Sequence, residues 1–129
     1  MDAARLEGLW LFSSLSREEL ERVARWTDEL EVPAGRELAQ EGSFAHEFFV
    51  IEDGSAAVLK DGERIAELGP GDFFGEIGLL ETERRTASVV ADTPLRVIVM
   101  FQREFKQMER EMPAVAERIR AAIRARLDR

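Results

Sequence analysis

Between Leu30 and Phe101 turn signals recur mostly every eight to ten residues: Pro33-Ala34-Gly35, Glu41-Gly42-Ser43, Asp53-Gly54, Asp61-Gly62, Gly69-Pro70-Gly71 and Asp92-Thr93-Pro94. That beat leaves room for short strands between the breaks and predicts an antiparallel barrel or sandwich. The runs Phe48–Ile51, Ala56–Leu59, Ala87–Ala91 and Val97–Phe101 are the strands it implies most directly. Asp61-Gly62 lies between two such segments and predicts a tight hairpin.

Helical periodicity flanks this region on both sides. Ser16-Arg17-Glu18-Glu19 has the form of a capping box, with Ser16 as N-cap and Glu19 three residues on. Leu15, Leu20, Val23 and Ala24 then give the apolar spacing of a helix running to about Trp26. Trp10 and Trp26 are expected to pack between this helix and the barrel. After Phe101, Gln102 to Glu111 reads as one helix, and Pro113 suits the first position of another, where its missing N–H costs nothing. Val115, Ile119, Ala122, Ile123 and Leu127 form one apolar stripe along that last helix. The expectation is a mainly β, α+β chain: an antiparallel barrel or sandwich over 28–101, an N-terminal helical segment over 1–27 and two C-terminal helices over 102–129, all in a single domain 1–129. No internal repeat or low-complexity linker interrupts it.

Composition narrows the function classes. At 129 residues the chain can bury a core of its own. It has no cysteine, which removes disulfides, thiolate metal sites and cysteine nucleophiles, and fits a cytoplasmic home. Leu9-Trp10-Leu11-Phe12 is too short for a signal-peptide core, and Val97–Phe101 is far short of the ~20 residues of a membrane helix. A net charge of −8 argues against general nucleic-acid binding, which rests on a basic surface. Residues 103–129 nevertheless carry eight Lys/Arg against five Asp/Glu. Such a tail is either a solvated helix face or a segment that docks on an acidic body or partner.

Against that acidic background, Arg84 and Arg85 stand side by side after Phe73-Phe74-Gly75-Glu76. Gly75 lets the backbone approach a ligand closely and permits a positive φ. Glu76 to Leu80 can form one short helical turn, whose first N–H groups would make a phosphate cradle. Glu76 makes sense beside an anion if its carboxylate accepts a hydrogen bond from a ligand hydroxyl. Arg85, nine residues past Glu76, can fold back so that its planar fork meets two phosphate oxygens, each charge-assisted bond contributing about 1.5–3 kcal/mol. One Arg with backbone donors matches an anion of charge −1 better than a triphosphate. Neither a P-loop nor a GxGxxG motif is present. Read without further context, a Gly-Glu turn and an exposed Arg pair are also ordinary surface chemistry.

The stretch Phe74-Gly75-Glu76-Ile77-Gly78-Leu79-Leu80, followed by Arg85-Thr86-Ala87-Ser88-Val89, resembles the phosphate-binding cassette (here 74–89) of the cyclic-nucleotide-binding domain family. The likeness extends over nearly the whole chain: the first helix, Val32-Pro33-Ala34-Gly35, Glu41-Gly42, Gly54 and the two-helix ending. The resemblance implies an eight-stranded jelly-roll-like antiparallel barrel with the last helix as lid, a sensor for cyclic AMP or cyclic GMP with no cofactor. It implies that Arg85 holds the cyclic phosphate with backbone amides of Gly75, Ile77, Gly78, Leu79 and Thr86, that Glu76 holds the ribose 2′-OH, and that Arg84 is solvated. Arg84-Arg85-Thr86-Ala87-Ser88-Val89 is similar to the cassettes of cyclic-nucleotide-gated channels, whose threonine can contact guanine. Cyclic AMP is favoured and cyclic GMP remains open.

Helical spacing puts Arg126 on the inward stripe of the last helix, either snorkelling to water or reaching a ligand. The ending Arg126-Leu127-Asp128-Arg129 resembles the last helix of channel-type domains, where an Arg at this place reaches the purine. On that likeness Val58, Ala66 and Leu68 line the base from the barrel, with Ile123 or Leu127 above; these are also ordinary core positions.

A cupin-type metal enzyme wants two or three converging histidines, and the chain has one, His46, in a polar loop. A DNA-binding regulator of the catabolite-activator type needs a further helix-turn-helix domain, so this sequence would be an excised piece of one. A degenerate domain serving only protein interaction is opposed by the intact Glu76 and Arg85. No base or metal cluster suited to hydrolysis is visible, and the chain is read as a non-enzyme. A downstream protein partner or fused effector is expected but not identified by sequence.

Overall fold

The apolar runs at Phe48–Ile51 and Val97–Phe101 become neighbouring strands at the centre of the molecule. The computed structural model describes residues 2–42, 47–75, 85 and 87–127. In it β1 (Asp28–Val32), β8 (Leu95–Phe101), β3 (Glu47–Asp53) and β6 (Phe73–Phe74) form one sheet in the order β1-β8-β3-β6. A second sheet has the order β2 (Glu37–Ala39), β7 (Ser88–Ala91), β4 (Ala56–Lys60) and β5 (Glu63–Leu68). Every pairing is antiparallel. Among the described residues, eight strands in two four-stranded sheets, flanked by helices, make the jelly-roll that the resemblance implies and the sandwich that the turn spacing allows; the strands divide between two sheets rather than closing one barrel.

Strand side chains alternate between faces. Phe49, Ile51, Leu95, Val97 and Val99 point into a core between the sheets, together with Ala56, Val89 and Ala91 from the second sheet. Phe48, Val50, Ile98 and Met100 point the other way, into a core shared with the helices. β3 and β8 are therefore covered on both faces, which is why they read as unbroken apolar runs. In the β4–β5 hairpin, Asp61 (φ +52°) and Gly62 (φ +79°) both adopt positive φ, the primed turn that matches strand twist.

The helical layer covers the outer face of the first sheet. It comprises α1 (Ala4–Glu7), a 3-10 turn at Trp10–Phe12, α2 (Arg17–Val23) running into a 3-10 turn at Ala24–Trp26, α3 (Gln102–Glu111) and α4 (Pro113–Leu127). α2 begins with the reciprocal cap expected of Ser16 and Glu19: the Glu19 N–H donates to Ser16 Oγ at 3.2 Å and the Ser16 N–H donates to Glu19 Oε1 at 2.9 Å. Phe105, Met108, Val115, Ile119 and Ile123 bury the inner faces of α3 and α4. Trp26 joins this core, but Trp10 does not and is 38% exposed. Its 3-10 turn buries Leu11 and Phe12 instead. α1 was not anticipated from sequence. Among the described residues no helix is long and apolar enough to cross a membrane.

The basic excess of the last helix is partly absorbed within the fold. Arg118 donates to Ser14 O at 3.0 Å and pairs with Glu19, so α4 is tied to the start of α2. That hydrogen bond from Arg118 is the main reason Glu19 is held below the ordinary carboxylate range. Arg120 pairs with Glu109 of α3 and with Glu117 at 2.9 Å, and lies over the Phe105 ring.

Because one carboxylate serves both the α2 cap and the Arg118 pair, the two contacts should be coupled. Ser16→Ala is expected to cost about 1 kcal/mol of stability. Combined with Arg118→Gln in a double-mutant cycle read from urea midpoints, it should show an interaction of at least about 0.5 kcal/mol. Strict additivity would mean that the cap does not orient Glu19 for Arg118.

Candidate functional site

The site is built from the end of β6, the start of β3 and the segment that enters β7. Phe73 and Phe74 pair with Val50 and Phe49, and the Phe49 and Phe74 rings stack at 4.8 Å. The chain then leaves the sheet at Gly75 with φ +79°. A Cβ here would sit 2.5 Å from the Glu47 carbonyl oxygen and 2.7 Å from Arg85 Nη1. Position 75 therefore requires glycine twice, for its conformation and for the guanidinium packed against it.

Arg85 is buried, with 9% of its surface exposed. Its Nη2 donates to the Glu47 carbonyl oxygen at 3.0 Å. Its own carbonyl accepts from the Gly42 N–H at 2.9 Å. Three stretches of chain thus fix both ends of one arginine: the turn at Gly42, the first residue of β3 and the exit from β6. Holding a guanidinium out of water is costly, and a fold that does so presents a preset planar fork of donors. The neighbouring turn is itself anchored. The Glu41 N–H donates to Ser88 Oγ at 2.9 Å, and Glu41 Oε1 accepts from the Asp61 N–H at 3.1 Å. Ser88 is thereby committed to the turn.

On the second sheet, Val58 pairs with Ala66, and Leu68 pairs with Ala56. Val58 and Leu68 pack against the inter-sheet core. The pairing places Ala66 on the same face, and at the strand edge it is exposed. Val89, four residues past Arg85, pairs with Val58, so Arg85 enters the strand that adjoins this face.

Ile123 lies elsewhere. It is fully buried in the helical core, on the opposite side of the first sheet from Val58 and Leu68. The backbone of α4 extends through Leu127, while the side chains of Arg126 and Leu127 lie outside the described part. Glu76, Ile77, Gly78, Leu79, Arg84, Thr86 and His46 also fall outside the described residues. Among the described residues, no group of three or more His, Asp or Glu side chains is placed to hold a metal ion.

Two contributors escape sequence reasoning. Glu47 acts through its carbonyl and Gly42 through its amide, groups that every residue but proline provides in full. The Glu41-Gly42 turn signal marks the place without marking the role.

The profile of the family described as "Cyclic nucleotide-binding domain" matches residues 29–111. A cAMP-dependent protein kinase regulatory subunit from Neurospora crassa is 32% identical over 117 residues, 89% of this chain and 30% of that protein. The chain thus spans under a third of that relative's length. Among solved structures, a putative cyclic nucleotide-binding protein from Geobacter metallireducens superposes with a TM-score of 0.83 at 25% identity, covering 98% of each chain. The catabolite activator protein of Thermus thermophilus superposes with a TM-score of 0.79 at 27% identity, covering 92% of this chain and 58% of that one.

Gly75→Ala should displace Arg85 as well as strain the backbone. We expect a loss of about 1–3 kcal/mol in urea unfolding. Gly35→Ala, at φ +88° but in open space, should cost only about 1 kcal/mol. Equal losses at the two positions would mean that Gly75 is required for its φ alone.

Proposed function

Because this chain belongs to the cyclic nucleotide-binding domain family, we propose that it binds one cyclic nucleotide, cyclic AMP by preference, with the cyclic phosphate held by Arg85. The observation that carries this reading is the buried guanidinium of Arg85, steadied by the Glu47 carbonyl and packed against a glycine with positive φ. The fork is in place before any ligand arrives, so little side-chain entropy is lost on binding.

The remaining assignments follow the cassette. Glu76 takes the ribose 2′-OH, and the amides of Gly75, Ile77, Gly78, Leu79 and Thr86 complete the phosphate shell. Val58, Ala66 and Leu68 offer an apolar wall to the base. Arg126 and Leu127, at the end of α4, are the lid positions. Similarity to a cAMP-dependent protein kinase regulatory subunit and to a cyclic AMP receptor protein favours cyclic AMP. Thr86 keeps cyclic GMP in the comparison.

Binding is proposed to signal through the C-terminal helix to a protein partner or fused effector, without catalysis, in the cytoplasm. A ligand shifts such a helix only through better binding to one arrangement than to the other.

Calorimetry with cyclic AMP, cyclic GMP and 5′-AMP at physiological salt tests the reading. One site per chain is expected, cyclic AMP tightest and 5′-AMP weakest. Arg85→Ala should cost about 2 kcal/mol, roughly 30-fold in affinity. Circular dichroism would confirm that the variant is folded. A loss below tenfold would place the phosphate elsewhere, and silence with all three nucleotides would favour a protein-interaction domain.

A further inference from the structure

At the opposite end of β3 from Arg85's anchor, the helical layer covers charged groups. The β3–β8 register shifts between Ile51 and Asp53; Glu52, two positions past Val50, faces the helical layer and meets Arg5 of α1. The Glu52 side chain is 11% exposed and that of Glu29, on β1, 26% exposed. Arg5 of α1 spans them, with Nη1 3.6 Å from Glu29 Oε2 and 3.8 Å from Glu52 Oε2. These separations suit ion pairs but are too long for hydrogen bonds. Arg96 of β8 also faces the group and pairs with Glu31 of β1 at 3.7 Å; its backbone register partner on β3 is Asp53.

As carboxylates, the two acids leave a conspicuous defect. Glu29 Oε2 and Glu52 Oε1 are both buried without a hydrogen-bond partner. Buried acceptors are rarely left in that state. A proton placed between the two carboxyl groups supplies both with a partner and removes the repulsion between like charges.

We propose that a proton held between the Glu29 and Glu52 carboxyl groups fixes α1 on the first sheet, so that docking of the N-terminal helix responds to pH. Burial, and next the facing Glu29 carboxyl, push Glu52 up to about 7, against the opposing pull of Arg5 and Arg96. The folded chain therefore keeps a proton that the unfolded chain releases at the ordinary value of 4.5. The stabilisation is complete below that ordinary value and is lost as pH rises through about 7. Above it the two carboxylates repel, and the accessible relief is for α1 to lift and admit water.

The test follows the side-chain carboxyl carbons of the full chain by NMR from pH 4 to 9. Amide-exchange protection factors for residues 4–9 are measured over the upper half of that range. One glutamate should titrate near 7, and α1 protection should fall by about fourfold between pH 6.5 and 9, the part of the linkage from a shift of 4.5 to about 7 that lies in this window. Glu29→Gln and Glu52→Gln each put an amide N–H where the shared proton would be. Glu52→Gln should abolish the neutral titration, Glu29→Gln should move it back toward the ordinary range, and both should weaken the dependence of α1 protection on pH. The proposal is overturned if every glutamate titrates below about 5.5, or if α1 loosens equally with pH in the Gln variants.

Discussion

The structure depends on the first sheet being a middle layer. β3 and β8 are pressed between a second sheet on one side and the described helices on the other, and both of their faces must be apolar. This leaves the two ends of β3 as the places where polar groups can enter the interior. At one end the Glu47 carbonyl holds Arg85. At the other, Glu52 sits under α1 facing Glu29. The same strand that is too buried to vary thus sets the position of a cation and of an acid.

That constraint also explains what could be read in advance. Phe48–Ile51 and Val97–Phe101 were legible because two-sided burial writes an unbroken apolar run. Asp61-Gly62 and Ser16-x-x-Glu19 were legible because a primed turn and a helix cap need particular side chains at particular spacings. β5 (Glu63–Leu68) is almost wholly exposed and β1 (Asp28–Val32) lies at an edge, so their sequences carry little core pattern. α1 has four residues and one buried side chain, Leu6, too few for a period to show. Trp10 misled because a large aromatic suggests burial, while a 3-10 turn offers the core only some of its positions. At the site, Arg85 and Gly75 were legible because a fork of donors and a positive φ are properties of those side chains. Glu47 was not, because a carbonyl leaves no trace in the sequence. Nor was the Glu29–Glu52 pair, since the two are 23 positions apart and belong to strands separated by β8.

The charge distribution has a similar division of labour. The basic last helix looks like a tail available to an acidic partner, yet Arg118 and Arg120 are engaged with Glu19, Glu109 and Glu117. These pairs are partly exposed and individually contribute little to stability. Their effect is on register. Arg118 links the start of α2 to the middle of α4, so the N-terminal and C-terminal helices form one layer over the first sheet.

That linkage limits how the last helix can act as a lid on the proposed reading. Ile119 and Ile123 are fully buried on the far side of the first sheet from Val58 and Leu68. Exposing each would cost about 1.5–3 kcal/mol, so withdrawing both costs about 3–6. Coupling between ligand and conformation is typically about 1–3 kcal/mol. A ligand on the second sheet therefore cannot readily extract the body of α4 from the helical core. The last turn, from Arg124 onward, has no such anchor among the residues described to Ala125: both are exposed. On that reading, movement confined to that turn would keep Ile119 and Ile123 in place and leave Arg126 and Leu127, rather than Ile123, as the positions proposed to cover the base. The lid would then be short, and the remainder of α4 would be the fixed support against which it closes.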